Sequence, residues 1–504
     1  MKIIMKVNKR KKRKMKNQKK LFLTYFVMIC ALILTTISTA QAVTFTVNVD
    51  TDQKDMNPGD GVCAAAYRAC SLRAAIQEAN LRPGDDMIVF SASFKAPNPP
   101  KTIVLSLGEL FVTTFNGGNT QIYGPGARQL IIDGDHKSRV FVTNSLPGHN
   151  DIISISHLTI QNGMLKDAYN SKGAGIYNNT NLILSNVTIR NNDTNPGDYV
   201  QAFEKIGGGI YTEGGFVNIT NSTISNNAAV QGGGVYSMHG TVYISDSTIS
   251  GNSSKSDGGG VYLRGGFETS SIKNSTFAGN SAQQSGGGIF IYQYGNSAVV
   301  VGNAIVADNS AQIDKDVSGL FISKGNNLIE SRGNSTGYIA SDLPDGTDPK
   351  LGFLKNNGGP TDTRALLPNS PAINAGNDCI ASYNCVDEFY YDQRGYGFPR
   401  KVGASVDIGA FEFQGENSAV VQISGKVLKP NGRGLNNAAV TLTSTDGEPL
   451  SVETDSHGNF SFDSVTPGRS YIISAESRQY NYTPQNIFVT EAREDLSFVP
   501  NETR

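Results

Sequence analysis

The densest group of titratable side chains lies in the run IIDGDHKSRVF. Two carboxylates, Asp133 and Asp135, and two cations, Lys137 and Arg139, are candidate catalytic residues there. Carboxylates with an arginine within hydrogen-bond reach would indicate acid–base catalysis. The alternative is a solvated corner between two strands, because Asp-Gly is a turn signal. Catalysis would also require a second carboxylate cluster on the same face of neighbouring segments.

A second acidic run, VDTDQKDMNPGDG, supplies four candidate calcium ligands: Asp50, Asp52, Asp55 and Asp60. Calcium is a hard cation that prefers oxygen ligands. The spacing departs from the EF-hand pattern and lacks its terminal glutamate, so a flexible acidic loop is the favoured alternative. Calcium is accordingly a candidate cofactor, and no other cofactor is implied. The five histidines are scattered, and they form no recognisable Ser-His-Asp or Cys-His arrangement.

These residues lie on a chain that repeats itself. The run GGGVYSMHGTVYISDSTISGNSS starts at Gly232 and has copies at Gly207, Gly258 and Gly286, with a degenerate copy at Gly173. Matched apolar positions recur every 25 to 35 residues with period-2 alternation, which is typical of stacked β coils. Abundant Gly, Ser, Thr, Asn and β-branched residues exclude helical repeats, and β-propeller blades need about 40 residues each. The repeat predicts about ten coils of a parallel β-helix.

Stacked coils place like residues above one another. We expect Ile224, Ile249 and Phe277 to point inward in one column, and the triple glycines to form tight corners between successive backbones. Asparagines at the coil ends are expected to adopt the left-handed conformation and to form an amide ladder: Asn191, Asn226, Asn252, Asn280 and Asn309. A tyrosine column either stacks on sugar rings or, as Phe290 in the same register favours, stacks on itself: Tyr177, Tyr211, Tyr236 and Tyr262.

Residues 1–42 have the composition of a signal peptide, with a basic start, an apolar run and the small residues Ala40 and Ala42. An uncleaved membrane anchor is the alternative, because the apolar run is near the lower limit for spanning. This segment holds 11 of the 43 Lys and Arg residues and none of the 44 acidic ones, so the remainder carries a net charge of −12. Such acidity argues against nucleic-acid binding. We expect an exported monomer with no membrane span after cleavage.

Four cysteines would remain after signal cleavage, as the close pairs Cys63 with Cys70 and Cys379 with Cys385. In an exported chain these pairs predict local disulfides. A zinc site is the alternative, but no histidine lies near either pair.

The length of 504 residues predicts at least two domains. After a linker at 413–419 the glycine clusters vanish, and short strands separated by Gly, Pro and Asp turns predict a small antiparallel β-sandwich over 420–504.

Several stretches resemble known families. NPGDGVCAAAYRACSLRAAIQEAN, from residue 57, resembles the Cys-Ser-Leu-Arg-Glu-Ala domain of exported bacterial β-helix proteins, with Ala74 in place of the glutamate. The runs DPKLGFLKNNGGPTDTRALLPNSPAINAGNDCI and DQRGYGFPRKVGASVDIGAFE, within 348–412, resemble the choice-of-anchor Q segment. The coils are similar to right-handed pectin-lyase-like helices and, more loosely, to polymorphic outer-membrane-protein repeats. The tail from Ile423 resembles the carboxypeptidase regulatory-like domain, a transthyretin-like sandwich without catalytic residues.

Together the resemblances imply an all-β protein: a cap over 43–86, a right-handed parallel β-helix over 87–412 that includes the choice-of-anchor Q segment from about 340, and the sandwich. Leu72, Ile76 and Ala79 are expected on one face of a short helix that caps the first coil. The implied role is secreted or cell-surface, in adhesion or in binding glycan, cell-envelope or host-surface components. The alternative is a polysaccharide lyase or hydrolase, since pectin-lyase-like enzymes hold calcium with carboxylates and abstract a proton with arginine or lysine.

Overall fold

The computed structural model describes residues 42–66, 69–95, 100–166, 171–194, 197, 205–266, 269–292, 299–381, 391–414, 421–444, 449–465, 469–489 and 492–503. The described residues are almost entirely strand and loop. Their helices are α1 (Leu72–Leu81), the 3-10 turn Ala92–Phe94 and α2 (Asp378–Ala381). All but the last residue of the predicted signal peptide lies outside the described residues.

Most strands belong to three long parallel sheets, in which each strand bonds to the equivalent strand of the coils before and after it. Sheet A contains, in order, Val43–Val47, Asp86–Phe90, Thr120–Tyr123, Ile152–Ser156, Asn181–Ser185, Phe216–Thr220, Thr241–Ser245, Ser270–Lys273, Val299–Gly302 and Ile322–Gly325. Sheet B contains Lys101–Val104, Leu130–Asp133, Thr159–Gln161, Thr188–Arg190, Thr223–Ser225, Thr248–Ser250, Thr276–Ala278, Ile305–Ala307 and Leu328–Ile329. Sheet C contains Leu110–Thr113, Phe141–Asn144, Ile176–Asn179, Ile210–Glu213, Val235–His239, Val261–Gly266, Ile289–Tyr292 and Val317–Ser318. The predicted parallel β-helix is confirmed.

Short strands add to the corners and to the end of the β-helix. The parallel ones are Ser171–Lys172 with Lys205–Ile206, and the trio Ala228–Ala229, Ser253–Ser254 and Ser281–Ala282. An antiparallel pair, Leu351–Lys355 with Thr363–Leu366, follows the last coil. With ten strands in sheet A and a strand spacing of about 4.8 Å, the β-helix is about 45 Å long.

The interior of the β-helix is filled by columns of matched apolar side chains. Ile224 pairs with Ile249, and Ile249 pairs with Phe277 in the next coil. All three are fully buried in one continuous core. Each is flanked by outward-pointing residues, because successive side chains on a strand alternate between its two faces. The expected inward column is therefore confirmed.

An unbroken ladder of asparagine side chains runs through one corner of the coils. In a typical rung, the Asn252 amide donates to the Asn280 amide oxygen at 2.9 Å and to the Ile224 carbonyl at 2.9 Å. The Asn252 amide oxygen accepts from the backbone and side-chain N–H groups of Asn227, at 3.0 and 2.9 Å. The rungs are Asn192, Asn227, Asn252, Asn280 and Asn309. Every polar atom of the buried Asn252 amide is thus satisfied, as burial requires.

The structure separates two roles that the sequence prediction had combined. The residue that takes the left-handed conformation comes directly before each rung: Asn191, Asn226, Gly251, Gly279 and Asp308. Asn191 and Asn226 were therefore wrong as ladder residues, while Asn252, Asn280 and Asn309 were right. The corner needs a residue that tolerates positive φ followed by one whose amide can bond in both directions.

The ladder ends on a carboxylate. Asp316 accepts from the Asn309 amide at 2.8 Å with one oxygen and from the backbone N–H of Ser331 at 2.7 Å with the other. An asparagine here would turn an N–H donor toward the Ser331 N–H. The carboxylate accepts on both sides, and burial raises the pKa of Asp316 to about 7.

The triple glycines form the corner that follows the ladder, as predicted. The first glycine of each triplet has φ near +64°. A Cβ at the second position, for example Gly233, would lie within 2.5 Å of the carbonyl oxygens of Ser253 and Gly259 in the next coil. Backbones therefore approach too closely at this corner for any side chain.

Both ends of the β-helix are covered. The predicted helix is present as α1, which buries Leu72 and Ile76 in the core. Its Asn80 donates to the Phe111 carbonyl and accepts from the Thr113 N–H, so it occupies the free edge of sheet C. At the other end the parallel coils stop after Ile329, and an irregular run over 333–346 bonds to the last strand of sheet A. Such caps prevent strand addition at the ends.

The C-terminal strands form a second, smaller domain with its own core. One sheet contains Asn459–Val465, Val421–Val427 and Arg493–Phe498, and the other contains Leu450–Glu453, Ala439–Ser444, Arg469–Glu476 and Gln485–Val489. A short pair, Tyr480–Asn481 with Glu502–Thr503, completes it. The predicted antiparallel character is confirmed apart from one parallel pair, Val421–Val427 with Arg493–Phe498.

One predicted disulfide is present. Cys63 and Cys70 are bonded, which closes a loop beside α1. Cys379 is also disulfide-bonded, and its predicted partner, Cys385, lies outside the described residues.

We predict that Asn252→Asp lowers the free energy of unfolding by about 3–5 kcal/mol at pH 8, because a buried carboxylate would face two acceptor oxygens. The loss should shrink at pH 5, since a protonated carboxyl can donate one hydrogen bond. Denaturant unfolding at both pH values measures it. Asn252→Ala is the matched control, and its destabilisation should not depend on pH. Equal losses for Asn252→Asp at the two pH values would contradict the ladder.

We also predict that Gly233→Ala prevents assembly of the soluble, folded β-helix or lowers its melting temperature by more than about 10 °C, because the new Cβ overlaps backbone oxygens. Gly352→Ala is the control, since the nearest atom to its Cβ would be 3.6 Å away. Circular dichroism melts of both variants measure the difference. Unchanged melting of Gly233→Ala would refute the corner geometry.

Candidate functional site

The outer face of sheet B is largely covered by the chain itself. The described residues 349–381 and 391–413, which we call the strap, run back across this face after the last coil. The fully buried Gln393 of the strap accepts from the Thr248 hydroxyl and donates to the Thr223 hydroxyl at 3.0 Å. A strap N–H also donates to Thr276 in the next coil. This threonine column therefore docks the strap and is closed to a ligand.

The strap contains a group of buried charged side chains that bond to one another and to its backbone. Asp392, Arg394, Arg400, Asp407 and Glu412 are each at most 4% exposed. Asp392 and Arg394 form an ion pair at 2.6 Å, and Glu412 accepts from the Asp407 N–H at 2.8 Å. Burial raises the pKa of Glu412 to about 8 and that of Asp407 to about 6. The cause is desolvation, which penalises a carboxylate more strongly than the neighbouring arginine stabilises it.

The tyrosine column lies on the outer side of sheet C and stacks on itself. Tyr177, Tyr211, Tyr236, Tyr262 and Phe290 have successive ring centroids 5.3, 5.9, 4.7 and 4.8 Å apart. They form an apolar cluster separate from the interior core. Because each inner ring has a neighbour on both faces, the favoured prediction of an inter-coil stack is confirmed. The faces of the inner rings are therefore closed to sugars.

A charged cluster lies beside the Tyr177 end of this column. The sequence analysis identified only Arg139 among its residues. Arg139 pairs with Glu109 at 2.6 Å, while Glu213 accepts from the Tyr211 hydroxyl at 2.8 Å and lies 4.0 Å from Lys172. Burial and Glu213 together raise the pKa of Tyr211, so its hydroxyl stays protonated and is no general base. Alignment of the coils by sheet C register could have placed Glu213 next to the column.

Asp133 lies apart from that cluster, on the outer side of sheet B. It occupies the register position shared by Gln161 and Arg190 in the next two coils. Gln161 and Asn162 each donate to one Asp133 oxygen at 2.8 Å, and Arg190 donates to Gln161 at 2.9 Å. The other Asp133 oxygen accepts from the Asp135 N–H. Both oxygens of Asp133 thus accept hydrogen bonds from residues that form this corner.

Asp135 and Lys137 form an exposed ion pair with each other. Asp135 and His136 both have positive φ, as in a tight corner. The hydrogen bond from Lys137 lowers the pKa of Asp135. Asp133, Asp135 and Lys137 therefore lie at one corner, whereas Arg139 lies in the charged cluster beside the tyrosine column.

The four candidate calcium ligands also have separate partners. Asp50 pairs with Lys101 at 2.7 Å, and Asp52 pairs with Arg73 at 2.6 Å. Asp55 accepts from the Ala64 N–H, and Asp60 accepts from the Val62 N–H. Within the described ranges no group of three or more His, Cys, Asp or Glu side chains is placed to hold a metal. The carboxylates order the loop before α1 by pairing with cations and backbone N–H groups.

The outer side of sheet A is the open face of the β-helix. Its central row is formed by successive register partners: Thr44, Met87, Gln121, Ser154, Ile183, Asn218, Tyr243, Ser271, Val300 and Ile322. The row beside it contains Thr46, Val89, Tyr123, Ser156, Ser185, Thr220, Ser245 and Lys273. We call these two rows the A face. Every side chain of the central row is partly or fully exposed.

The A face is nearly uncharged. Lys273 is the one charged residue in its two rows, although 17% of the whole chain is charged. Hydroxyl and amide groups alternate with apolar and aromatic side chains, and the Tyr123 ring, 51% exposed, packs against His157 at 4.5 Å. Charge depletion with aromatic residues is typical of the core of protein–protein interfaces, where a partner covers the surface.

Helices in the described part of the chain are too short to cross a bilayer, the longest being the ten residues of α1.

Comparison with known families identifies two parts of the chain. Residues 422–499 match the carboxypeptidase regulatory-like domain, which confirms the resemblance expected for the C-terminal sandwich. Residues 246–264 and 274–292, in neighbouring coils, match the Chlamydia polymorphic membrane protein repeat. A search of curated proteins found no match. The resemblances of the 57–80 and 348–412 segments stay predictions. The chain thus combines a parallel β-helix, in which two segments match this repeat, with a C-terminal sandwich that matches the regulatory-like domain.

We predict that stability falls as pH rises from about 4.5 to about 8. The native state binds the Glu412 proton more tightly than the unfolded chain does, so this contribution is complete below the unfolded pKa and lost above the native one. The loss should be on the order of a few kcal/mol. Urea unfolding at pH 5 and pH 8.5 measures it.

Glu412→Gln should flatten this dependence, whereas Glu494→Gln, at an exposed site of the C-terminal domain, should leave it unchanged. A wild-type chain that is equally stable at both pH values would show that Glu412 is not a buried neutral group.

Proposed function

We propose that this chain is an exported, cell-surface β-helix protein that binds a polysaccharide along the A face. The observation that carries the proposal is the combination of openness and charge depletion on this one face. The strap occupies sheet B, and the rings outside sheet C are stacked on one another. Sheet A offers the surface on which a long partner can lie without displacing part of the protein.

The chemistry of the A face favours a neutral polymer. Row partners repeat every coil, at about 4.8 Å, so hydroxyl and amide groups such as those of Gln121, Ser154 and Asn218 recur along a straight line. A polysaccharide likewise repeats its hydroxyl groups along its length. Apolar and aromatic side chains, including Tyr123 and Tyr243, supply contact with the C–H faces of sugar rings. A charged polymer would select a face with paired cations.

The surface location rests on two observations. Two coil segments match a repeat that is named for a Chlamydia membrane protein. The basic and apolar N-terminal segment has the composition of an export signal. A β-helix held away from the envelope would present its whole length to a partner.

The alternative of a polysaccharide lyase or hydrolase has weaker support. Such an enzyme needs carboxylates and a cation that converge on one substrate position. Here Asp133 accepts from neighbouring amides, and Arg139 is engaged by Glu109 on another face. Binding is therefore the function that the geometry favours.

We predict that a positive charge in the central row of the A face weakens polysaccharide binding. Asn218→Arg and Ser271→Arg should each reduce affinity at least tenfold, because a guanidinium is desolvated when a neutral polymer lies over it. Native gels containing hydroxyethyl cellulose, laminarin or polygalacturonate, the last with and without calcium, measure retardation of residues 43–504.

Ser497→Arg, which adds the same charge at an exposed position of the C-terminal domain, is the control and should bind like the wild type. Melting curves of the three variants check that each is folded. Retardation that is insensitive to both A-face substitutions would refute the proposal. Release of unsaturated products from polygalacturonate would favour the lyase instead.

A further inference from the structure

A loop of the strap presents two aromatic rings to solvent. Tyr396 is 83% exposed and Tyr391 is 41% exposed. Their ring centroids are 5.6 Å apart in an edge-to-face arrangement. Exposed rings of this size contribute little to the stability of a fold, because their apolar surface stays in water. They differ from Phe353, another exposed ring at 88%, in that they form a pair with each other.

The loop that carries these rings is closed by backbone hydrogen bonds. Tyr391 bridges to Pro399 in antiparallel fashion, and the Asp392 N–H donates to the Phe398 carbonyl at 3.0 Å. Within this closed loop the Gly395 N–H donates back to the Asp392 carbonyl at 2.9 Å. Gly395 and Gly397 on either side of Tyr396 have φ of +80° and +93°. The backbone conformation thus fixes the direction in which Tyr396 projects.

The base of the loop is anchored in the interior. Directly after Tyr391, the residues Asp392, Gln393 and Arg394 are almost completely buried. Gln393 bonds to the threonine column of sheet B, and the Arg394 guanidinium lies 4.0 Å from the Phe398 ring centroid. An exposed pair held by a buried anchor is preorganised, so little conformational entropy is lost when a ligand binds.

The size and charge of the pair select the class of ligand. A stable protein interface needs about 800 Å² from each partner, whereas an aromatic side chain buries about 150–250 Å². Residues 395–399, Gly-Tyr-Gly-Phe-Pro, carry no charge. Two rings inclined at 64° to each other can cover the C–H face and the edge of one six-membered sugar ring, while its hydroxyl groups remain in water.

We infer that Tyr391 and Tyr396 form a second binding site, for a single neutral pyranose ring within a glycan. This site lies on the strap and does not require the A face. It would hold one sugar unit, whereas the A face would hold an extended chain. The two sites therefore differ in their dependence on ligand length.

Titration of residues 43–504 with cellohexaose, maltohexaose and laminarihexaose tests this site, with binding followed by saturation-transfer NMR and calorimetry. We expect at least one of the three to bind, and Tyr396→Ala to weaken that binding at least tenfold. Tyr396→Phe should bind within about threefold of the wild type, because it keeps the ring. Phe353→Ala removes another ring, 88% exposed, and should have no effect.

The outcomes distinguish this site from the A face. Asn218→Arg should leave hexasaccharide binding through Tyr396 intact while it weakens retention by polymers. Failure of all three hexasaccharides to bind, or equal binding by Tyr396→Ala and the wild type, would overturn the inference. In either case the A-face proposal would be tested separately, by the native gels that contain polysaccharides.

Discussion

The constraint on which the molecule depends is that each coil must satisfy its backbone hydrogen bonds with the coil above and the coil below. In a parallel solenoid no strand can bond within its own coil. The register between coils therefore determines which residues share an interior column and which share a corner. Interior positions then receive the same kind of residue in coil after coil, as in the column from Ile224 to Phe277. Corners receive residues that can turn the backbone and also bond along the stacking direction. The fold therefore spreads its stability over many equivalent contacts.

Polar groups inside such a stack are stable only when each has a partner on both sides. The asparagine ladder meets this condition because an amide both donates and accepts, so that Asn252 bonds to Asn227 below and Asn280 above. A ladder must also stop, and an amide at the end would leave a donor or an acceptor unpaired. Asp316 solves the problem with two acceptor oxygens. Burial of that carboxylate raises its pKa, so the terminus of the ladder is more sensitive to pH than its rungs.

The same backbone pattern produces three outer faces with different uses. Sheet B carries hydroxyl groups that the strap engages through Gln393, and sheet C carries rings that engage one another. Sheet A is open, uncharged along its central row and aligned with the axis of the solenoid. The proposed binding function is assigned to the face that the chain leaves uncovered. The charged residues that look most like catalytic groups, Asp133 and Arg139, are used to shape corners and to neutralise partners at the edges of these faces.

The sequence by itself determined the architecture, because a parallel β-helix repeats its pattern locally: glycine corners, apolar columns, the tyrosine stack, α1 and the C-terminal sandwich could all be predicted. It also indicated the Cys63–Cys70 bond. The distinction between the turn residue Asn226 and the rung Asn227 was missed, since adjacent asparagines look alike until their φ angles are known. Only the tertiary structure decided that residues 349–381 and 391–413 cover sheet B, that Arg139 pairs with Glu109, and that Tyr396 projects from a buried anchor. Each of these features depends on contacts that do not recur from coil to coil, and a contact without a repeat leaves no periodic signal.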